Sequence, residues 1–185
     1  VDPRIGRTRI AVLDAVRDIL AEEGWEAVTH ARVAQRSGVH RATVWRHWPE
    51  RTSLIHDALA DESVPVDVSL SGDVQRDLRA LLQSLRHTLI DLKRDRMIAA
   101  LIDRSAWQPE LKRLKVELVR DGFPLFREAL QHGVTDGQLR QGINIDHAVA
   151  QLVGPLFYRV LVSGEQVRRG TIEAIVSDFL IAYRP

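Results

Sequence analysis

The chain has 185 residues, 45% of them apolar, and a formal net charge of +1, which suits one or two small domains with a real core. It contains no cysteine, excluding a disulfide scaffold and a thiolate zinc site and fitting a reducing cytoplasm. No apolar run reaches the ~18–20 residues of a membrane-spanning helix, and no secretory leader is visible. Residues 6–23 predict the first helix, where Ile10, Leu13, Val16 and Leu20, joined by Val12 and Ile19, make a wide apolar face. Arg4, Arg7 and Arg9 at its front are either ordinary surface arginines or groups able to approach a phosphate. Gly24 fits a helix stop, and Trp25 and Val28 then close a small three-helix core.

Two short helices joined by a tight turn follow. Thr29 suits an N-cap, because its hydroxyl can accept from an orphan amide of the first turn. Val33 and Ala34 face inward, Gly38 supplies the left-handed turn, and Val39 plugs it. Val44 and Trp48, four apart, carry the apolar stripe onto the next helix, which Pro49 ends. This is the layout of a helix-turn-helix. Arg32, Arg36, Arg41, Arg46 and Arg51 against Glu50 alone give the segment a charge of about +4. Acids crowd instead around the first helix (Asp14, Asp18, Glu22, Glu23, Glu26), so the positive field is concentrated on the helix-turn-helix. Arg41, Ala42, Thr43, Trp45 and His47 point away from the buried stripe. A helix face so furnished suits a major groove; the alternative is a solvated basic face on a helical bundle.

The same residues resemble the DNA-binding domain of the TetR family of bacterial transcriptional regulators. The shared pattern falls on Thr29, Val33-Ala34, Ser37-Gly38-Val39, Thr43-Val44-Trp45, Trp48, Arg51 and Leu54. Four residues depart from it. His40 stands where a capping serine is usual, Trp45 for tyrosine, Trp48 for phenylalanine and Arg51 for lysine. The first departure leaves the recognition helix with a weaker or differently made cap. Carried over by position, the resemblance implies groove contacts from Arg41, Ala42, Thr43, Trp45 and His47, and backbone contacts from Thr29, His30 and Arg51. Arg46, toward the edge of that face, is placed below Arg41.

After Pro49 a helix resumes through Leu54, Ile55, Ala58 and Leu59, which in the resembled family connects head to body. Residues 63–72 read as a loop. Leu78, Leu81, Leu82, Leu85, Leu89 and Leu92 predict a long amphipathic helix over 73–93, and Met97, Ile98, Leu101 and Ile102 a shorter one ending near Trp107. Pro109 opens the next helix, with Leu111, Leu114, Leu118, Leu125 and Ala129 inward and a kink expected at Pro124. A loop is expected over 133–142. The helix over 148–162 is apolar nearly all round and should bend at Gly154-Pro155. Such a helix needs partners on both sides. The surplus apolar surface on it and on the last helix therefore points to a second subunit, through Val149, Val153, Leu156, Val160, Ile172, Ile175 and Phe179.

The expected fold is all-α, with about nine helices: a three-helix helix-turn-helix head at 1–51 and a helical effector-binding and dimerisation domain at 52–185. No enzyme constellation is found, nor residues calling for a metal or cofactor. The reading is a cytoplasmic homodimer bound to double-stranded, pseudo-palindromic operator DNA, with no membrane partner. Repression relieved by a small molecule is what the resemblance implies. Met97, Leu101, Trp107, Phe123, Phe126, Phe157 and Tyr158 could line an apolar pocket oriented by few polar groups (Trp107, Tyr158, Arg159), or could be packed core. The alternatives are a helical-bundle enzyme or ligand carrier with a basic surface, and a DNA-binding regulator without an effector.

Overall fold

Every regular element among the described residues, 3–60, 68–91 and 94–185 of the computed structural model, is helical. In chain order these are α1 (Pro3–Glu22), a 3-10 turn (Trp25–Ala27), α2 (His30–Ser37), α3 (Arg41–His47), α4 (Arg51–Ala60), α5 (Val74–Arg86), α6 (Arg94–Ser105), α7 (Pro109–Asp121), α8 (Pro124–Thr135), α9 (Ile145–Phe157) and α10 (Arg169–Tyr183). They fall into two compact units, Val1–Pro65 with Lys93–Leu118, and Val66–Leu92 with Val119–Pro185. Of the loop expected at 63–72 only 68–72 are described; Leu92 and the Arg4 side chain lie outside the described residues.

In the first unit the inward face of α1 (Val12, Leu13, Val16, Ile19, Leu20) packs with Trp25, Val28, Val33, Val44 and Trp48. Ile10 departs from the expected stripe and is half exposed. The unit does not stop at residue 51. Leu54, Ile55 and Ala58 of α4 join this core, as do Met97 and Leu101 of α6 and Leu111 and Leu114 of α7. Arg17 is buried against α4, its Nε donating to the Ala58 carbonyl at 2.8 Å, while Nη1 meets Asp14 at 2.6 Å.

The second unit packs α5, α8, α9 and α10 around Leu78, Leu82, Leu130, Leu152, Leu156 and Val176. Asp73 caps α5 by accepting from the Arg76 amide at 2.9 Å, and Asn144 caps α9 by accepting from the His147 amide at 3.0 Å. The buried Asp77 carboxylate is satisfied by the Ser71 amide and hydroxyl and the Gly72 amide, fastening the chain ahead of α5. The expected interface residues are placed differently from the sequence reading. Val149, Val153, Leu156, Ile172 and Phe179 are buried in this core, and Val160 and Ile175 are half-buried against it. α5, α8 and α10 of its own chain cover the inward face of α9, while Asp146, His147, Ala150, Gln151 and Pro155 stay exposed.

Proline breaks the helical run more sharply than a kink. Phe123 (φ −135°, ψ 46°) leaves the helical region, as the residue before a proline should, and Pro124 opens α8 at N1, where its missing N–H is no loss. α8 runs on to Thr135, into the stretch expected to be loop. Pro155 lies within α9, which continues to Phe157 and then winds as a π-helix over Tyr158–Ser163 before stopping at Gly164. The long helix expected over 73–93 likewise passes from α to π winding, at His87–Asp91.

Candidate nucleic-acid interface

The local signals of the helix-turn-helix are realised at the atoms that matter. The Thr29 hydroxyl accepts from the Arg32 amide at 3.1 Å, capping α2. Gly38 takes φ 70°, ψ 8°, and the Ser37 hydroxyl accepts from the Val39 amide at 3.2 Å across the turn. His40 makes no side-chain cap, so the first turn of α3 is held by backbone alone. A Cβ at residue 38 would meet nothing within 4 Å, so Gly38→Ala tests backbone conformation by itself. It should destabilise the protein by about 1–2 kcal/mol, the cost of a left-handed non-glycine residue, read as a lower urea midpoint at constant m.

Val44 and Trp48 are buried, leaving Arg41, Ala42, Trp45, Arg46 and His47 exposed and Thr43 half-buried on the opposite face of α3. Trp45 keeps 59% of its surface in solvent, unusual for an indole without a partner to cover it. The structure thus gathers the five expected groove residues on one surface.

Charge is distributed less evenly than its tally suggests. Arg32 donates to Glu23 through Nε (2.9 and 3.1 Å) and Nη2 (2.6 Å), and Arg36 donates to Glu22 (2.9 Å) and Asp18 (3.3 Å). Hydrogen bonds from Arg32 hold the Glu23 carboxyl below its ordinary range, against a smaller opposing effect of desolvation. These arginines lace α2 to α1 and their charge is compensated. Arg51 is half-buried, donating to the Trp25 carbonyl and to Glu26 at 3.2 Å, and Arg104 reaches the same Glu26 at 2.8 Å. His30 Nε2 lies 2.6 Å from the Trp48 carbonyl, which can only accept, so this nitrogen carries the proton. His30 and Arg51, expected on the DNA backbone, therefore spend polar atoms inside the head, while Thr29 stays exposed. Among the described residues Arg41 and Arg46 have no carboxylate partner.

The expected ligand-lining residues are not drawn into one site. Met97 and Leu101 are core of the first unit, and Trp107 and Tyr158 are 82% and 60% exposed. In the second unit Phe126 and Phe157 stand edge-to-face on Phe123, with ring centroids 5.9 and 6.3 Å apart. Phe126 is buried, whereas Phe123 and Phe157 are half-buried. A separate groove of about 540 Å³ runs between α9 and α10, lined by Pro155, Arg159, Ala174, Ile175, Ala182 and Tyr183 among others.

Comparison with known proteins agrees with this geometry. Residues 12–58 match the family of bacterial regulatory proteins, tetR family, and residues 68–179 match the tetracyclin repressor-like C-terminal domain. The chain is 29% identical over 180 residues to the HTH-type transcriptional regulator YdeS of Bacillus subtilis (strain 168), covering 95% of this chain and 89% of that protein. It is 25% identical over 177 residues to the nucleoid occlusion factor SlmA of Marinobacter nauticus, covering 92% and 89%. The crystal structure of the TetR family transcription regulator SCO0332 superposes with a TM-score of 0.76 at 29% identity, covering 96% of this chain and 99% of that one. No helix among the described residues is long and apolar enough to cross a membrane. With both its helix-turn-helix head and its helical body matched, the chain belongs to the TetR family: it is a DNA-binding transcriptional regulator, of a family that is not enzymatic.

Proposed function

We propose that the protein is a cytoplasmic repressor that binds a pseudo-palindromic operator as a homodimer and leaves it when a small, largely apolar ligand binds the second unit. The observation that carries the DNA-reading part is the outer face of α3, where two uncompensated arginines flank Ala42, Thr43 and Trp45. Arg41, Ala42, Thr43, Trp45 and His47 are assigned to the groove, and Arg46, toward the edge of that face, to a phosphate. Thr29 approaches a phosphate directly, while His30 and Arg51 shape the backbone-facing surface from within. Residues 1–51 hold the reading elements; dimerisation and ligand response belong to 52–185.

Dimerisation is assigned to the outer surface of α9 and α10. Its small residues Ala174 and Ala182 allow close helix approach, and Tyr158, Val162 and Ile181 stay 60%, 71% and 78% exposed in the single chain. The ligand is assigned to the neighbourhood of Phe123 and Phe157, whose half-buried rings offer apolar surface. Similarity to a nucleoid occlusion factor favours a second reading, a DNA-bound regulator without an effector.

Selection of bound duplexes from a random pool tests the operator, which should be two inverted half-sites about one helical turn apart. Arg41→Ala should relax discrimination at one operator position by about 1–3 kcal/mol, and Arg46→Ala should reduce the slope of log K against log salt by about one unit. Equal preference across all single-base operator variants after Arg41→Ala would remove Arg41 from base reading. For the ligand, an apolar library is screened by tryptophan fluorescence with and without operator. Linkage requires the operator to weaken ligand binding by the factor by which ligand weakens operator binding. A ligand indifferent to DNA refutes induction and leaves the second reading.

A further inference from the structure

α3 is only seven residues long and has no side-chain cap at its start, so its orientation depends on what grips its far end. That end is Trp48, 5% exposed and held twice. Its carbonyl accepts from His30 on α2, and its indole Nε1 donates to Asp57 Oδ2 on α4 at 3.0 Å. The same carboxylate oxygen accepts from Arg9 Nη1 on α1, also at 3.0 Å, and the Arg9 guanidinium carbon sits 5.6 Å from the Trp48 ring centroid. Burial alone would push the Asp57 carboxyl up. Hydrogen bonds from Trp48, Arg9 and His56 together outweigh it and hold the group below its ordinary range, so it is ionised at neutral pH. Thr8, Arg9, His47, Trp48, Ser53 and Asp57 surround a cleft of about 370 Å³, which brings this cluster against His47, the last residue of α3.

We propose that Asp57 is a positioning residue for the recognition helix, holding Trp48 in place and keeping the Arg9 guanidinium from the DNA backbone. The proposal rests on the DNA-reading face assigned to α3. An indole N–H buried without an acceptor would be free to turn toward another, and α3 would turn with it. An Arg9 released from its carboxylate adds a mobile cation that attracts any duplex, whatever its sequence.

Two variants separate the roles. Asp57→Asn keeps an oxygen for the Trp48 indole but abolishes the charge that holds Arg9. Trp48→Phe removes the indole donor but leaves the Arg9–Asp57 pair. Affinities of the full-length protein are measured over a salt series for a duplex selected from a random pool and for an unrelated duplex of equal length, alongside thermal melting. Asp57→Asn should tighten binding to the unrelated duplex and steepen its salt slope by about one unit. Arg9→Ala added to it should return the slope to the wild-type value. Trp48→Phe should lower the ratio of selected to unrelated affinity roughly tenfold, the scale of one lost base contact, with its salt slope unchanged. An unchanged slope in Asp57→Asn, or losses on both duplexes that simply follow the melting temperature, would overturn the proposal. A wild-type protein that prefers no duplex in the pool would instead defeat the operator reading on which it rests.

Discussion

Ala182→Glu should turn the protein into a folded monomer and weaken binding to the palindromic operator by about 10²–10⁴-fold, the advantage that joining two half-site contacts confers. Ala182 is exposed on α10 and lines the groove between α9 and α10, so in a lone chain a carboxylate there remains in water. Between two copies of that surface the same carboxylate is stripped of water without a partner, which costs several kcal/mol on each side of a symmetric contact. Sedimentation velocity and far-UV circular dichroism read the two halves of the expectation: a halved mass with helix content intact. A variant that stays dimeric with unaltered operator affinity would move the interface elsewhere. A wild-type chain that sediments as a monomer at micromolar concentration would end the dimer reading altogether.

Leu156→Asp, one turn of sequence logic away, should fail differently. Leu156 has no exposed surface even in the isolated chain, being packed within the core of α5, α8, α9 and α10. Losing its methyl groups forfeits about 2–5 kcal/mol, and an unpaired buried carboxylate adds to that. Against a total stability of about 5–15 kcal/mol, the expected product is an unfolded or aggregated chain rather than a monomer. The checks are loss of the cooperative thermal transition and binding of a hydrophobic dye at room temperature. A cooperatively folded monomer would place Leu156 at a subunit boundary after all.

The difference between these two substitutions marks where the sequence stops being readable. Capping at Thr29, the left-handed turn at Gly38 and the start of α7 at Pro109 depend on a few adjacent atoms, and each was legible. Apolar residues nearly all round α9 called for cover on both sides, but periodicity carries no information on whose residues supply it. Leu156 and Val149 were therefore assigned to a partner when their own chain buries them. The exposed face of α3 was legible for the same local reason as the caps, since Val44 and Trp48 determine which side of α3 turns outward. Its charge was not. Arg32 pairs with Glu23 nine residues away and Arg36 with Asp18 eighteen away, and such pairings exist only once α1 and α2 have packed. Pro124 opens a new helix instead of kinking one because α7 ends at Asp121, before Gly122 and Phe123.

Glu26 has a further consequence. One carboxylate, on the short turn ahead of α2, is divided between Arg51 at the head of α4 and Arg104 on α6. Arg96, also on α6, donates to the Ala21 carbonyl at 3.1 Å, near the end of α1. α6 is therefore tethered to the reading head by charge as well as by Met97 and Leu101. If α6 slides away by more than the slack of an ion pair, Glu26 cannot follow both guanidinium groups. Either Arg104 is abandoned or Arg51 is, and in the second case a positive charge at the start of α4 becomes uncovered. In that second case a displacement of α6 would change the electrostatic potential at α4, with no need for the recognition helix itself to be pushed.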